Sequence, residues 1–419
     1  QSGGYGQYTE MYLRGTKSSQ TLFLRDGIRL NSNTSGQSSL PFIDTTDIKQ
    51  IEVLKGPASV LYGTDAIGGV VQLISKKPEK TGAFITGEVG ENKTYKSVLG
   101  ADLAENGFYA QIRGQRLETD GTPVTNTPNN KKASFDQKGY SAKIGVEKDN
   151  YAASIDYNEN QGYSDYDSYG SLVSQDFKNE VINLKSQLNL LDNVAIHARL
   201  SQFKDDVKQN NKPDFAYSTT QEAELYTKWQ ITPEHNVLTG ISHKKTDADI
   251  FSKGEGYVWE GVFYPGQDVF YNKDIKTTGY FAQHQYQSDK LSTQLGVRLE
   301  DHEKFGTHTI GQVAARYFIT PATSIYSNIG TAFRAPTNND LYAIGWGANP
   351  DLAPEESLSY EVGFDHQINK QLSTSLSVYR TEVDNLITSI NSQLININET
   401  TFIGGVISFN WQQDKLFLN

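Results

Sequence analysis

The sequence of 419 residues contains no cysteine and a single methionine. The lack of cysteine excludes a disulfide scaffold, an iron–sulfur protein, a thiolate zinc site and a cysteine nucleophile. No stretch approaches the roughly 20 consecutive apolar residues of a membrane-spanning helix, since the most apolar run, IGGVVQLI at residues 67–74, is far shorter. The chain opens on QSGGYGQYTE, without the basic start and apolar run that mark a signal peptide.

Positive charge is also scarce, with 38 Lys and Arg against 49 Asp and Glu and a net charge of −11. This balance argues against a nucleic-acid partner, because phosphate contacts need clustered cations. The sequence has no HExxH, no GxSxG and no Walker A motif, and Gly3-Gly4-x-Gly6 is only a weak phosphate-loop signal. We therefore predict that the protein is not an enzyme and has no catalytic residue or catalytic cofactor.

The chain divides into two regions with different patterns. Residues 1–80 contain short mixed apolar runs broken by glycine, with strands expected at 21–24, 50–54 and 69–75 and one helical turn at 58–62. These features predict a small α/β domain. Residues 81–419 form a second domain with a strictly alternating pattern.

Apolar and polar residues alternate in segments of the second domain that are separated by polar loops. Within 107–115, Phe108, Ala110 and Ile112 lie on one side and mostly polar residues lie on the other. The segments 193–201, 294–300, 359–367 and 372–379 follow the same rule. A period of two over so many segments requires an antiparallel sheet with one apolar and one polar face.

Two architectures satisfy this pattern. A soluble sandwich or propeller buries the apolar faces against each other, whereas a membrane barrel turns them to lipid. The connections alternate between short (91–95, 104–107) and long (119–137, 158–181), as in membrane barrels. Aromatic residues near segment ends fit an interfacial girdle: Tyr95, Phe108, Tyr140, Tyr151, Tyr157, Phe203, Tyr226, Trp229, Tyr280 and Tyr317. The pattern favours the membrane barrel.

Two blocks carry a resemblance to a known family. Residues 51–77 read IEVLKGPASVLYGTDAIGGVVQLISKK, after LRDGIRLN at 24–31, and residues 329–354 read IGTAFRAPTNNDLYAIGWGANPDLAP. The first block resembles the plug domain of TonB-dependent outer-membrane transporters, with Gln72 where the family usually has Asn, and the second resembles a barrel segment of that family. The resemblance implies an all-β transmembrane antiparallel barrel of 22 strands with an N-terminal α/β plug in its lumen. It also implies a monomer in the outer membrane of a Gram-negative bacterium, surrounded by lipid and lipopolysaccharide, that imports a scarce nutrient with the energy-coupling protein TonB.

Within the family the resemblance is closest to the cobalamin (vitamin B12) receptors, and a ferric siderophore is the alternative substrate. In those receptors two plug loops touch the corrin, so the resemblance implies a ligand-binding role for the matching residues. These are Asn31, Ser35, Gly36, Ser38, Thr64 and Asp65. The segment NSNTSGQSS at 31–39 suits an adaptable hydrogen-bonding surface, although a merely solvated loop has the same composition.

The cobalamin receptors also order their outer loops with calcium, and this chain has candidate ligands. Alternating aspartates suit a hard cation that takes six to eight oxygens, and the candidates are Asp165, Asp167, Asp176 and Asp214. Their spacing is not that of an EF-hand, and acidic loops are commonly just solvated. Calcium is therefore an expectation that follows from the resemblance.

The chain departs from the family in length. Residues 83–419 allow only about 16 strands at about 20 residues per strand with its connection. We therefore expect that the coupling box and the first part of the plug precede Gln1, and that further barrel strands lie outside this sequence. A soluble β-rich carbohydrate-binding or adhesive protein remains the alternative of a different class, and a passive porin is disfavoured because porins have no plug-like first domain.

Overall fold

The computed structural model describes residues 3–56, 59–125, 131–168, 170–259, 262–413 and 416–418. The first region contains a four-stranded sheet of order β2-β1-β4-β3, with one short helix between its last two strands in the chain. Its elements are β1 (Thr21–Arg25), β2 (Ile28–Arg29), β3 (Ile48–Lys55), α1 (Ser59–Tyr62) and β4 (Gly69–Ser75). All three strands expected in this region are confirmed, with ends shifted by at most two residues.

Local sequence explains this small sheet. Asp26 and Gly27 both have positive φ, 50° and 88°, and form the two-residue turn that joins β1 to β2. Strand β4 is apolar because it lies between β1 and β3 and most of its residues are buried. Gly69 allows close approach there, since a Cβ atom would lie 2.2 Å from the carbonyl oxygen of Leu54.

The rest of the chain forms one long antiparallel sheet that makes a barrel wall around the first region. Strands that follow one another along the wall pair antiparallel, and β13 pairs with β16 across the separate hairpin that β14 and β15 form. The elements are β5 (Gly82–Gly90), β6 (Thr94–Glu105), β7 (Phe108–Thr119), β8 (Phe135–Glu147), β9 (Tyr151–Ser168), β10 (Ser171–Leu191), β11 (Val194–Gln209), β12 (Phe215–Gln230), β13 (His235–Ser252), β14 (Tyr257–Trp259), β15 (Val262–Tyr264), β16 (Val269–Gln287), β17 (Leu291–His302), β18 (Gly306–Thr320), β19 (Thr323–Arg334), α2 (Asn338–Tyr342), β20 (Glu355–Gln367), β21 (Leu372–Ile390), β22 (Gln393–Gln413) and β23 (Leu416–Leu418).

The connections differ between the two ends of the wall. At one end, which we call the short-turn end, the described strands are joined by two to four residues, as at 106–107, 192–193 and 231–234. The long connections, such as 253–268 and 335–354, lie at the other end, the loop end. The expected long loop at 158–181 is wrong, because these residues lie in β9 and β10, which pair up to Ser168 and Ser171.

The two faces of the wall differ as the alternation predicted. On β10, Leu188, Leu184 and Ile182 point outward and stay exposed, and Glu180 and Lys178 continue the same face toward the loop end. The apolar band is bordered by exposed aromatic residues, and such a contiguous apolar surface suits lipid. The prediction that Phe203 and Tyr226 belong to the aromatic girdle is wrong, because strand alternation turns both side chains into the lumen.

The helices add nothing to this apolar band. In the part of the chain that the structure describes, none of them is long and apolar enough to cross a membrane.

Candidate functional site

The loop between β2 and β3 reaches the loop end of the wall. The side-chain nitrogen of Asn33 donates to the hydroxyl oxygens of Ser218 (3.1 Å) and Thr220 (2.8 Å) on β12. In α2, which contacts β16, the backbone nitrogen of Asn339 donates to the carbonyl oxygen of Thr34 (2.9 Å). These bonds anchor residues 31–38, which we call the apical loop, between two parts of the wall.

Asn31 holds the apical loop in shape. Its amide oxygen accepts from the backbone nitrogen of Phe23 (2.8 Å), and its amide nitrogen donates to the carbonyl oxygens of Thr21 (3.0 Å) and Gly36 (2.8 Å). Ser38 is buried as well, whereas Ser35 is exposed and Gly36 is partly exposed. Of the four residues expected in this loop, Ser35 and Gly36 are therefore the ones that a ligand can reach directly.

Thr64 and Asp65 lie deeper, between the plug and the wall. Arg29 donates to the carbonyl oxygen of Thr64 (3.0 Å) and forms an ion pair with Asp65 (3.3 Å). Lys244 of β13 approaches the Thr64 hydroxyl at 3.4 Å, and Asp65 donates its backbone nitrogen to the carbonyl oxygen of Phe333. The structure thus places these two residues in an ionic contact between plug and wall rather than beside exposed Ser35.

A cluster that joins the apical loop to the N-terminal segment was missed by sequence reasoning. The Tyr8 hydroxyl lies 2.7 Å from Glu10 and 2.9 Å from Gln37, and the Gln37 amide donates to Glu10 (3.1 Å). Partial burial, together with the hydrogen bond to Glu10, raises the pKa of Tyr8 to about 12, so its hydroxyl stays protonated. Tyr5 and Tyr12 are exposed nearby in the chain. The spacing of the three tyrosines in a glycine-rich opening was the available signal.

The aspartates expected to bind calcium do not converge. Both carboxylate oxygens of Asp165 already accept hydrogen bonds, from Ser134 (2.6 Å to the hydroxyl), Ser174 (2.6 Å) and Tyr163. Among the residues that the structure describes, no group of three or more His, Cys, Asp or Glu is arranged to hold a metal ion. Asp167 accepts from the backbone of Gly170, Asp176 from Asn210, and Asp214 from Ser252 and Lys253. Calcium binding stays a prediction.

Buried ion pairs fasten the plug-facing side of the wall. Arg334, at the end of β19, pairs with Glu355 (3.0 Å) and Asp340 (3.3 Å). The plug residue Gln20 donates to Glu355 (2.9 Å). Nearer the short-turn end, Arg14 of the plug pairs with Glu361 of β20. An arrangement of this kind holds a plug by polar contacts that can be exchanged for water.

A barrel with a lipid-facing apolar band, a folded domain in its lumen and a polar loop surface at one end defines a plugged outer-membrane receptor. Comparison with known proteins identifies the family. Residues 93–419 match the model described as TonB dependent receptor-like, beta-barrel, and residues 1–70 match the TonB-dependent Receptor Plug Domain. The chain belongs to the TonB-dependent receptors, a family of the Gram-negative outer membrane whose members are receptors and transporters rather than enzymes.

Individual relatives refine the comparison. The chain is 32% identical over 400 residues to the vitamin B12 transporter BtuB of Photobacterium profundum, and 26% identical over 398 residues to that of Vibrio vulnificus. Each match covers 92% of this chain and 62% of the relative, so the chain spans less than two thirds of their length.

Solved structures show the same fold at lower identity. The FrpB iron transporter of Neisseria meningitidis superposes with a TM-score of 0.83 at 14% identity, covering 99% of this chain and 73% of that one. The copper transporter OprC gives 0.77 at 17% identity, with 96% and 70% covered. The short-turn end of the wall corresponds to the periplasmic side of such barrels and the loop end to the extracellular side.

Proposed function

We propose that this protein is a TonB-dependent importer that captures a corrinoid, cobalamin, at its extracellular end. The observation that carries the proposal is the 32% identity to a vitamin B12 transporter over 92% of the chain. The apical loop supports it, because Ser35, Tyr8 and Gln37 offer hydroxyl and amide groups at the extracellular opening of the lumen. Such groups suit the peripheral amides of a large polar ligand.

Energy for import comes from TonB rather than from chemistry in the chain. The plug contacts the wall through ion pairs and hydrogen bonds such as Arg14–Glu361 and Lys244–Thr64. Because each polar contact exchanges for water at a small net free energy, a pull on the plug can rearrange it without unfolding the barrel. We expect uptake to stop in a strain without TonB while surface binding persists.

The test of the substrate is a calorimetric titration of the detergent-solubilised protein with cyanocobalamin. We expect tight binding to the wild type and an affinity at least about tenfold lower for Gln37→Ala, since truncation removes polar contacts at the ligand surface. The matched control is Gln50→Ala in β3, an exposed glutamine of the same domain away from the apical loop, whose affinity should equal the wild type.

Other outcomes of the titration change the proposal. Ferric siderophores are the alternative ligand, and ferric enterobactin receptors are among the similar structures, at identities that show the fold alone. Tight siderophore binding without cobalamin binding would reverse the assignment. Repeating the titration with calcium and with a chelator tests the calcium prediction, and equal affinities in both would remove it.

A further inference from the structure

A cavity of about 380 Å³ lies between the plug and the wall on the periplasmic side of the β1–β2 hairpin. The plug contributes the Asp26–Gly27 turn, and the wall contributes residues near the periplasmic ends of their strands. Lys185 is six residues from the end of β10, and Lys228 is two residues from the end of β12. The other wall residues used below are His197, Arg199, Glu222, Glu224 and Tyr226.

The charged residues that line this cavity are five cations and three carboxylates, namely Arg29, Lys185, Arg199, Lys228 and Arg298 against Asp26, Glu222 and Glu224. Arg199 lies 3.3 Å from both Glu222 and Glu224 and donates to the carbonyl oxygen of Gly27. Lys185 lies 4.0 Å from Asp156 and also attracts the Asp26 carboxylate. Lys228 lies 5.8 Å from the centre of the Tyr226 ring and forms no ion pair with any residue that the structure describes. The wall of the cavity therefore presents excess positive charge.

A flat ring with an unsatisfied polar atom faces the same cavity. His197 stacks on Tyr226 with ring centroids 4.6 Å apart and an interplanar angle of 7°. The Nε2 atom of His197 is buried, and no described residue forms a hydrogen bond with it. Because a buried polar atom without a partner costs free energy, His197 Nε2 would gain a hydrogen bond from a polar group that entered the cavity beside it.

We propose that the cavity is a transit site for an anionic group linked to a planar ring, occupied as the substrate moves from the apical loop toward the periplasm. Cobalamin carries such a group, a nucleotide in which a phosphodiester is linked through ribose to a benzimidazole, so the inference rests on the proposed function. Lys185 and Lys228 would hold the phosphate as point charges, and the His197–Tyr226 stack would contact the ring. The volume suits this appendage and is too small for a whole corrinoid.

Position supports a link between the two sites. The β1–β2 hairpin runs from Thr21, which is bonded to Asn31 of the apical loop, to the turn at the cavity, about 17 Å at 3.3 Å per residue. Arg29 lines the cavity and also holds Thr64 and Asp65. A ligand that leaves the apical loop along this hairpin would meet the cavity next.

The experiment compares uptake of cyanocobalamin with uptake of dicyanocobinamide, the corrinoid that lacks the phosphate, ribose and base. In cells that express the protein with Lys185→Gln and Lys228→Gln, we expect cyanocobalamin uptake to fall about fivefold or more, because charge-assisted contacts are lost. Cobinamide uptake and the surface affinity for cyanocobalamin should stay at wild-type values. His197→Phe, which keeps the stack, should lower cyanocobalamin uptake in the same selective way.

The matched control is Lys138→Gln with Lys204→Gln, two lysines on the outer face of the wall near the loop end, for which both uptake rates should be unchanged. An equal fall for both corrinoids in the cavity variant would indicate general damage and overturn the transit site, as would no fall at all. Those two results would leave the proposed function intact. Absence of cyanocobalamin binding to the wild type, by contrast, would overturn the proposed function and the transit site together.

Discussion

The outer and inner faces of the barrel wall follow the same period of two but are stabilised in different ways. The outer face exposes a band of apolar side chains, such as Val297 and Leu295, to lipid, and contact with lipid requires an apolar residue rather than a particular one. The inner face depends on individual pairs such as Arg334–Glu355 and Arg113–Asp102. The outer face is therefore set by the class of residue and the inner face by its identity.

Two neighbouring glutamates give the sharpest test of this difference. Glu355 is fully buried and pairs with Arg334, whereas the side chain of Glu356 on the other face is 57% exposed and contacts His308. Glu355→Ala leaves a buried guanidinium with one fewer partner, so we expect the free energy of unfolding to fall by about 3–5 kcal/mol. Urea unfolding in lipid vesicles, followed by tryptophan fluorescence, measures the change.

Glu356→Ala is the control, and its exposed pair should contribute at most about 1 kcal/mol. Equal losses in the two variants would contradict the distinction between the faces. A loss at Glu355 that disappears when Arg334 is replaced together with it would identify the unpaired charge as the cause.

A charge on the outer face should have the next largest effect. Val297 lies in the middle of the lipid-facing residues of β17, and Asp301 ends the same row at the loop end. Val297→Arg should destabilise the barrel by about 2–4 kcal/mol in vesicles, while Asp301→Arg should cost at most about 1 kcal/mol, because the penalty depends on depth. Similar costs at both positions would show that this face is not covered by lipid.

The outer face can be predicted well from the sequence, because it depends on the class of residue and not on its identity. Period-two alternation is a local signal, so the segment 107–115 was assigned to a strand with Phe108 and Ile112 on its apolar side, as observed. The extent of β9 and β10 was missed because their polar outer halves, beyond the lipid, contain no apolar repeat. The composition of these halves is typical of loops, although the two strands pair with each other as far as Ser168 and Ser171.

The candidate site was harder to predict because its contacts join residues far apart in the chain. The family motif located the apical loop, yet it could not show that the side-chain amide of Asn31 is already hydrogen-bonded to the backbone of Phe23 and Gly36. The Tyr8–Gln37 contact joins two loop segments, and no periodic pattern signals it. Side-chain exposure at such a site follows only from the folded arrangement.

Asp165 is an exception to the distinction between an exposed outer face and a paired inner face. Its replacement should have the smallest effect on stability among these variants. By strand alternation it shares the outer face with Ile155 and Tyr157, yet it is only 6% exposed because Ser134 covers it. Burial alone would raise the pKa of Asp165, but hydrogen bonds from Ser134, Ser174 and Tyr163 outweigh burial and hold the pKa below its usual value.

A carboxyl with a lowered pKa stabilises the fold at pH values above its unfolded pKa of about 3.9, and this contribution is lost as the pH falls through the folded value. Asp165→Asn replaces one acceptor oxygen by a donor, so we expect a cost of about 1–3 kcal/mol near neutral pH. The backbone nitrogen of Ser134 donates to the Asp165 carboxylate (3.1 Å), so hydrogen exchange of this amide should be faster in the variant at pH 7. In the wild type, acidification should speed the exchange beyond its intrinsic pH dependence, and in the variant it should not. Unchanged protection at Ser134 would show that the covering segment is held by other contacts. The matched control is Asp167→Asn, because the exposed Asp167 carboxylate accepts a hydrogen bond from the backbone of Gly170 rather than from Ser134.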